Sequence, residues 1–475
     1  MKLNKTKIVA TIGPASNSRA MLKKLMVAGV DVFRVNFSHA SYKEIKACVD
    51  HVRSLSESLN IHASILGDLQ GPKIRLGLIK NGCVVKKGDL IKISTDEKTE
   101  GDEGCVSINY SRFPLDVNPD EKILVNDGKL IFQVIKSNKT DLVEAKVLQG
   151  GALESKKGVN LPNTSISMPA LTKKDRQDLL FAIKNGFDWI ALSFVRSKKD
   201  ILLLKKLIEK ESDSKIPIIA KIEKPEAIHN IDEILKKADG IMVARGDLGL
   251  EIPSHEVPLN QKLLVIKAKK ARKPVIIATQ MMESMITNPT PTRAEMTDVS
   301  NAVLDGTDAV MLSAETAIGK YPLETVKAMH EVCEGAETYQ ESITKNEEYK
   351  FSEINKTDEA IAISSMSIAR NMDIKAIVAL TESGSTALML SRYRTNIPIY
   401  AFTRNEDTQR RVSLYRGVIS YQYQFLVDNM SDVISDVRDE LVGSSILKSG
   451  DLILITSGSP LRVSGGTNSL RMIYI

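Results

Sequence analysis

The chain has 475 residues, too many for one ordinary domain, so two or three are expected. It is 43% hydrophobic and 26% charged with a net charge of +6, which excludes a disordered or collagen-like chain. The basic residues are dispersed and only 5% are aromatic, so no stacking platform for nucleic acid is signalled; no apolar run approaches the roughly 20 residues of a membrane helix. Cys48, Cys83, Cys105 and Cys333 are scattered without a Cys-x-x-Cys pair, which points to reduced thiols and the cytoplasm. The amino terminus runs straight into a strand-like Thr6–Ile12, with no leader pattern.

In chain order, eight short β-branched segments are predicted as strands: Lys7–Ile12, Asp31–Phe37, Ala63–Leu69, Trp189–Phe194, Pro217–Ile222, Gly240–Ala244, Pro274–Thr279 and Ala309–Ser313. Amphipathic stretches such as Ser18–Ala28, Tyr42–Ser58, Lys173–Lys184, Ile201–Glu209 and Leu259–Lys270 lie between most of them. Eightfold strand–helix alternation predicts a (β/α)8 TIM barrel, with its chemistry at the carboxyl ends of the strands; a doubly wound open sheet is the alternative. After the third strand the pattern changes to short strands punctuated by Asn81-Gly82, Gly88-Asp89, Asp127-Gly128 and Gly150-Gly151. This predicts a small all-β lid over 72–160, inserted into a barrel formed by 1–71 and 161–345. A C-terminal α/β domain over 346–475 follows, with a helix at Glu359–Asn371 and strands at Ile374–Leu380, Pro398–Thr403 and Asp451–Thr456.

Side chains two apart on a strand share a face, so the strand ends present Arg34, Asn36 and Ser38 together, then Lys221 with Glu223, Arg245 with Asp247, and Ser313 with Glu315. Any one pair is an ordinary rim salt bridge. Several at one rim need mutual compensation or a bound ion. Glu223 and Asp247 offer two carboxylates to a hard divalent cation, with Lys221 beside them, a set suited to a phosphorylated, carboxylated small molecule.

Seven motifs, in order and over nearly the whole chain, then resemble the pyruvate kinase family: Arg34-Val-Asn-Phe-Ser-His39, Gly71-Pro-Lys-Ile-Arg75, Lys157-Gly-Val-Asn-Leu-Pro162, Met242-Val-Ala-Arg-Gly-Asp-Leu-Gly249, Ala278-Thr-Gln-Met281 with Glu283-Ser-Met285, Pro291-Thr-Arg-Ala-Glu295 and Met311-Leu-Ser-Ala-Glu315. The resemblance implies a glycolytic, homotetrameric enzyme that moves a phosphoryl group from phosphoenolpyruvate to ADP. It implies Mg²⁺ or Mn²⁺ on Glu223 and Asp247, Lys221 over the transferring group, and Arg34 on its oxygens. Backbone at Gly246 and Asp247, with the Thr279 hydroxyl, would hold the substrate carboxylate. Arg75 and Lys157 would meet nucleotide phosphates, with Asn36 and His39 nearby, although His39 equally suits local capping. Protonation of enolpyruvate would run from Thr279 through water towards Ser313 and Glu315.

Two departures stand out. The stretch Asp68-Leu-Gln-Gly-Pro-Lys-Ile-Arg-Leu-Gly77 has Lys73 where many family members carry Glu. Asn36, Ser38, Asp68 and Leu69 match the family's K⁺ positions, but a fixed ammonium at Lys73 predicts activity without K⁺. The loop Thr381, Glu382, Ser383, Gly384, Ser385, Thr386 resembles a sugar-phosphate effector loop, and equally a Ser/Thr helix cap. Glu382 adds a negative charge, and Ser457–Asn468 carries no tryptophan, so weak or absent fructose 1,6-bisphosphate activation is expected. Trp189 is expected to fill barrel core, Lys156 to be solvated, and Arg293 with Glu295 to lock a loop. A metal-dependent lyase, which needs no ADP site, and a catalytically inert relative are the rival readings.

Overall fold

The computed structural model describes residues 4–38, 40–96, 100–162, 164–212, 215–344, 356–393, 395–423, 429–458 and 466–475. Eight parallel strands close a barrel in sequence order: Lys7–Thr11, Val32–Asn36, Ser64–Leu69, Trp189–Leu192, Ile218–Ile222, Gly240–Ala244, Val275–Ala278 and Ala309–Leu312, the last pairing with the first. These strands are buried on both faces, which is why their sequences are near-continuous β-branched runs rather than alternating ones. The intervening helices start on side-chain caps. Ser41, Thr172, Ser197 and Thr292 each close a capping box with an acidic residue three positions on. Glu295, in the last of these, also accepts from the Ser284 amide (2.7 Å) and hydroxyl (2.6 Å), so it locks the 279–292 segment as expected.

Between the third and fourth barrel strands the chain forms a six-stranded sheet and a two-stranded pair over a separate apolar core that includes Phe113, Phe132 and Val147. The hairpin between Lys122–Val125 and Leu130–Ser137 turns at Asn126, Asp127 and Gly128, all at positive φ, as the Asp-Gly signal requires. The lid returns to the barrel through 161–171. That segment is tied by Ser167 to Asp116 and by Arg196, whose guanidinium donates to the Ile166 and Met168 carbonyls.

The C-terminal layer is a five-stranded, mostly parallel sheet seated at the amino-terminal end of the barrel, away from the strand ends that carry charge. Asp308 accepts from both guanidinium nitrogens of Arg392 and from the Val275 amide (2.9 Å). Asp188 joins Arg410 (2.9 Å) to Arg53 (2.9 Å). Trp189 is fully buried in the barrel core, as expected, at its base: its ring NH donates to the Arg411 carbonyl (3.3 Å) and its ring meets Tyr415 edge-on. Among the described residues no helix is long and apolar enough to cross a membrane.

Candidate active site

The carboxyl ends of the barrel strands enclose a cleft of about 350 Å³ lined by Arg34, Asp68, Lys221, Glu223, Asp247 and Thr279. Its centre is a buried charge network. The Lys221 ammonium donates to the Ser193 hydroxyl (2.8 Å) and pairs with Asp68 (3.2 Å) and Glu223 (3.0 Å). Arg34 grips the other Asp68 oxygen through Nε and Nη2 (2.7 Å each) and donates to Thr11 (2.9 Å). Burial alone would lower the Lys221 ammonium, but Asp68 and Glu223 overcome it and hold it well above its ordinary range. Burial alone would raise Asp68; Lys221 and Arg34 reverse that and keep it ionised. Burial lifts the Glu223 carboxyl, with Lys221 opposing and Asp247 adding to the rise, even though the Phe194 amide donates to it (2.7 Å).

Asp247 does not stand on a strand. The segment Arg245–Glu251 is a helix that begins where the sixth barrel strand ends, so Asp247 lies in a first turn, where free amides and the helix dipole favour a carboxylate. The expected shared face of Arg245 and Asp247 is therefore overturned. Arg245 turns away from the cleft and donates to the Thr279 (2.8 Å) and Gln280 (3.1 Å) carbonyls and to Asp298 (2.7 Å). Glu315 likewise belongs to a helix, Ala314–Ala317, and not to a strand-end pair with Ser313. It is buried and accepts from the Ser313 amide (2.6 Å), and burial pushes its carboxyl up to about 7.

Thr279 has φ +68, Gln280 +55 and Met282 +58. A β-branched residue in the left-handed region costs on the order of 1–3 kcal/mol and persists only where its surroundings impose it. Arg245 imposes it here by holding the two carbonyls. The turn brings the Thr279 hydroxyl to the Gly246 amide (2.7 Å), and a Cβ at Gly246 would press to 3.3 Å from that hydroxyl.

Arg34, Asn36, Ser38, Asp68, Leu69, Arg75, Lys221, Glu223, Asp247 and Thr279 all line this one cleft, as does Lys73, on its lid side. Three other candidates are not gathered in. Gly246 lines the neighbouring cavity beside Arg245. Lys157 pairs with Glu154 (2.7 Å) and is not among the lining residues, and His39 lies outside the described residues. Ser193, which the sequence reading did not single out, bridges Lys221 and the Leu69 carbonyl (2.7 Å); a serine one place past a buried strand carries no local signal of such a role. Glu382 is not a bare charge in its loop, contrary to expectation: its carboxylate is taken by Arg404 (2.9 Å) and Asn405 (3.3 Å). The following helix starts inside the loop, at Ser385.

The two carboxylates suit a hard divalent cation. Glu223 and Asp247 face the same cleft, Asp247 accepts no side-chain or backbone hydrogen bond among the described residues, and the cleft's third carboxylate, Asp68, is already taken by Arg34 and Lys221. Two protein carboxylates, with the remaining places left to substrate oxygens and water, is how Mg²⁺ is usually held at phosphate chemistry.

Comparison with known proteins agrees with this geometry. Residues 3–326 match the family description "Pyruvate kinase, barrel domain" and residues 359–473 match "Pyruvate kinase, alpha/beta domain". The chain belongs to the pyruvate kinase family. It is 45% identical to a pyruvate kinase of Geobacillus stearothermophilus, over 99% of this chain and 80% of that one. It is 42% identical to that of Buchnera aphidicola, over 100% of this chain and 99% of the relative. A crystal structure of a pyruvate kinase from Cryptosporidium parvum superposes with a TM-score of 0.92 at 36% identity, covering 99% of this chain and 96% of that one. As a pyruvate kinase, the chain transfers the phosphoryl group of phosphoenolpyruvate to ADP, giving pyruvate and ATP; this removes the lyase reading.

Proposed function

We propose that this pyruvate kinase is a glycolytic, cytoplasmic, Mg²⁺- or Mn²⁺-dependent enzyme that works without K⁺ and responds weakly to fructose 1,6-bisphosphate. The observation that carries the reading is the Asp68–Lys221–Glu223 network at the mouth of the barrel, with Asp247 opposite and Lys73 and Arg75 on the lid side. A coupled assay for pyruvate, with and without ADP and with a chelator, tests it: pyruvate formed at equal rate without ADP would sink it.

In this reading Glu223 and Asp247 would hold the divalent ion, which would supply positive charge against the negative charge that grows on the enolate. Arg34 and Lys221 orient the phosphoryl group, and Lys221 offsets charge that grows in transfer. Gly246, Asp247 and the Thr279 hydroxyl receive the substrate carboxylate. Arg75 and Lys157 bind ADP phosphates beside Asn36 and His39, Lys157 leaving Glu154 as the lid, taken as 72–160, closes. Ser313 and Glu315 relay the proton to the enolate through water and Thr279.

K⁺ independence is supported by the way the K⁺-type positions are already engaged. Asp68 serves Arg34 and Lys221, and the Asn36 amide oxygen accepts from the Ser38 amide (3.0 Å), while Lys73 brings its own ammonium to the same cleft. Weak activation is supported by the effector-type loop. A sugar phosphate would have to displace Glu382 from Arg404, and the loop amide of Gly384 is capped by Thr381 (2.9 Å). A rate matrix over K⁺ and fructose 1,6-bisphosphate is expected to show changes within about twofold along both axes. Large stimulation by K⁺, or a leftward shift of phosphoenolpyruvate saturation at micromolar effector, would refute the corresponding half. Homotetramer formation is supported by unpartnered apolar surface: Leu259, Leu263 and Ile266 form an exposed stripe on the helix Val257–Lys270, and Met472 and Tyr474 lie exposed on an edge strand of the C-terminal sheet.

A further inference from the structure

We propose that Glu251 is a positioning residue that couples the lid to the metal-holding helix, with Asn160 as its contact on the lid. The inference rests on the phosphoryl-transfer reading and adds to it a mechanical link between nucleotide closure and metal affinity.

Glu251 is the last residue of the helix that starts with Arg245, Gly246 and Asp247. It is buried, and one carboxylate oxygen takes two donors at once: the Lys224 ammonium (2.7 Å) and the Asn160 side-chain amide (2.9 Å). Lys224 directly follows Glu223. Asn160 ends the last lid strand, Val159–Asn160, three residues beyond Lys157. A single oxygen therefore touches the helix of one metal carboxylate, the strand end of the other, and the lid segment that bears a nucleotide-facing lysine.

The other Glu251 oxygen has no partner among the described residues. It borders a small cavity at the lid–barrel seam that Asp247, Lys73 and Arg196 also line, so Asp247 belongs to both the catalytic cleft and the seam. A helix of seven residues moves as a unit, and positions four apart are neighbours on its surface. A displacement of Glu251 by the lid is then passed to Asp247 one turn away. Were the Lys224–Glu251 pair only structural, the lid would need no hydrogen bond to it, and a change at Asn160 would leave the metal site as it was.

Asn160→Ala is the informative substitution, because it breaks the lid contact while leaving the buried Lys224–Glu251 pair intact. In the full-length protein without nucleotide, titration with Mn²⁺ is expected to give a dissociation constant raised about threefold or more, the scale of couplings carried through packed networks. The coupled assay is expected to give an ADP KM raised about tenfold with kcat far less affected, the mark of lost ground-state positioning. Glu251→Gln, which keeps an acceptor for Asn160, is expected to hold Mn²⁺ affinity better than Glu251→Ala. A raised ADP KM with unchanged Mn²⁺ binding would make Asn160 a lid brace and overturn the coupling, as would wild-type behaviour in both measurements. Wild-type protein that forms no pyruvate would instead sink the underlying reading.

Discussion

Lys221→Met is expected to lower kcat by roughly a thousandfold or more, with kcat/KM for phosphoenolpyruvate falling in step, because the interaction removed grows only as transfer proceeds. Methionine replaces the aliphatic stem well, so little volume is lost. The electrostatic consequence is larger, since Lys221 is the shared partner of Asp68 and Glu223 in a buried site. Asp68 keeps Arg34, and among the described residues Glu223 is left with the Phe194 amide. Burial already raises the Glu223 carboxyl and Lys221 is what opposes the rise. In the variant Glu223 is therefore protonated over more of the working pH range, and residual activity should move to higher pH with a greater demand for Mg²⁺.

The signs for stability follow the same network. Lys221 is raised in the fold, so its contribution is complete below its ordinary value of 10.5 and is lost as pH climbs beyond it. Asp68 is lowered, so its contribution is complete above 3.8 and is lost in acid. Between those limits the Asp68–Lys221 pair is fully charged, and the variant should be destabilised throughout. Rates across pH, with thermal unfolding as a control, measure both effects; turnover within a few-fold of wild type would remove Lys221 from its assigned role.

Glu315→Gln is expected to abolish a pH dependence of stability and, because glutamine cannot pass a proton on, to slow turnover as well. Burial moves the carboxyl from 4.5 to about 7, with Glu283 and Glu295 adding to the rise and the Ser313 and Glu315 amides opposing it. The folded chain then holds a proton between those values that the unfolded chain releases. Stability falls as pH rises from about 4.5 to about 7, by on the order of 3 kcal/mol. Glutamine keeps an acceptor for the Ser313 amide (2.6 Å in the wild type) and carries no charge, so the variant should match wild type near pH 4 and exceed it near pH 8. Denaturant midpoints at the two pH values, followed by circular dichroism, decide the matter. With protonated Glu315 feeding the relay to the enolate, kcat of the variant should fall below that of the wild type and lose its alkaline decline near pH 7. Equal midpoints for both proteins at pH 8 would show that the buried carboxyl is not strained by its charge.

The barrel was legible because strands covered on both faces must be apolar and β-branched along their whole length, and eight such runs alternate with capped amphipathic helices. Local patterning failed at the rim. Gly246 and Gly249 are poor helix formers, so Arg245–Glu251 reads as a glycine turn; in the fold it is a helix, its amino end beside Thr279 and its carboxyl end anchored by Glu251. Partners distant in sequence were equally hidden. Arg404 lies 22 positions from Glu382, and nothing near either residue announces the pair. Ser193 and Asn160 matter only through what the closed barrel sets beside them.

The chain's single tryptophan sits at the base of the barrel, with its ring NH on the Arg411 carbonyl and its edge against Tyr415. Its emission is thus a built-in gauge of whether the C-terminal layer is seated, and it is blind to events at the opposite mouth. Fluorescence and turnover would then report two separate ends of the same molecule, so a perturbation that quenches one without the other could be assigned to its end without any added label.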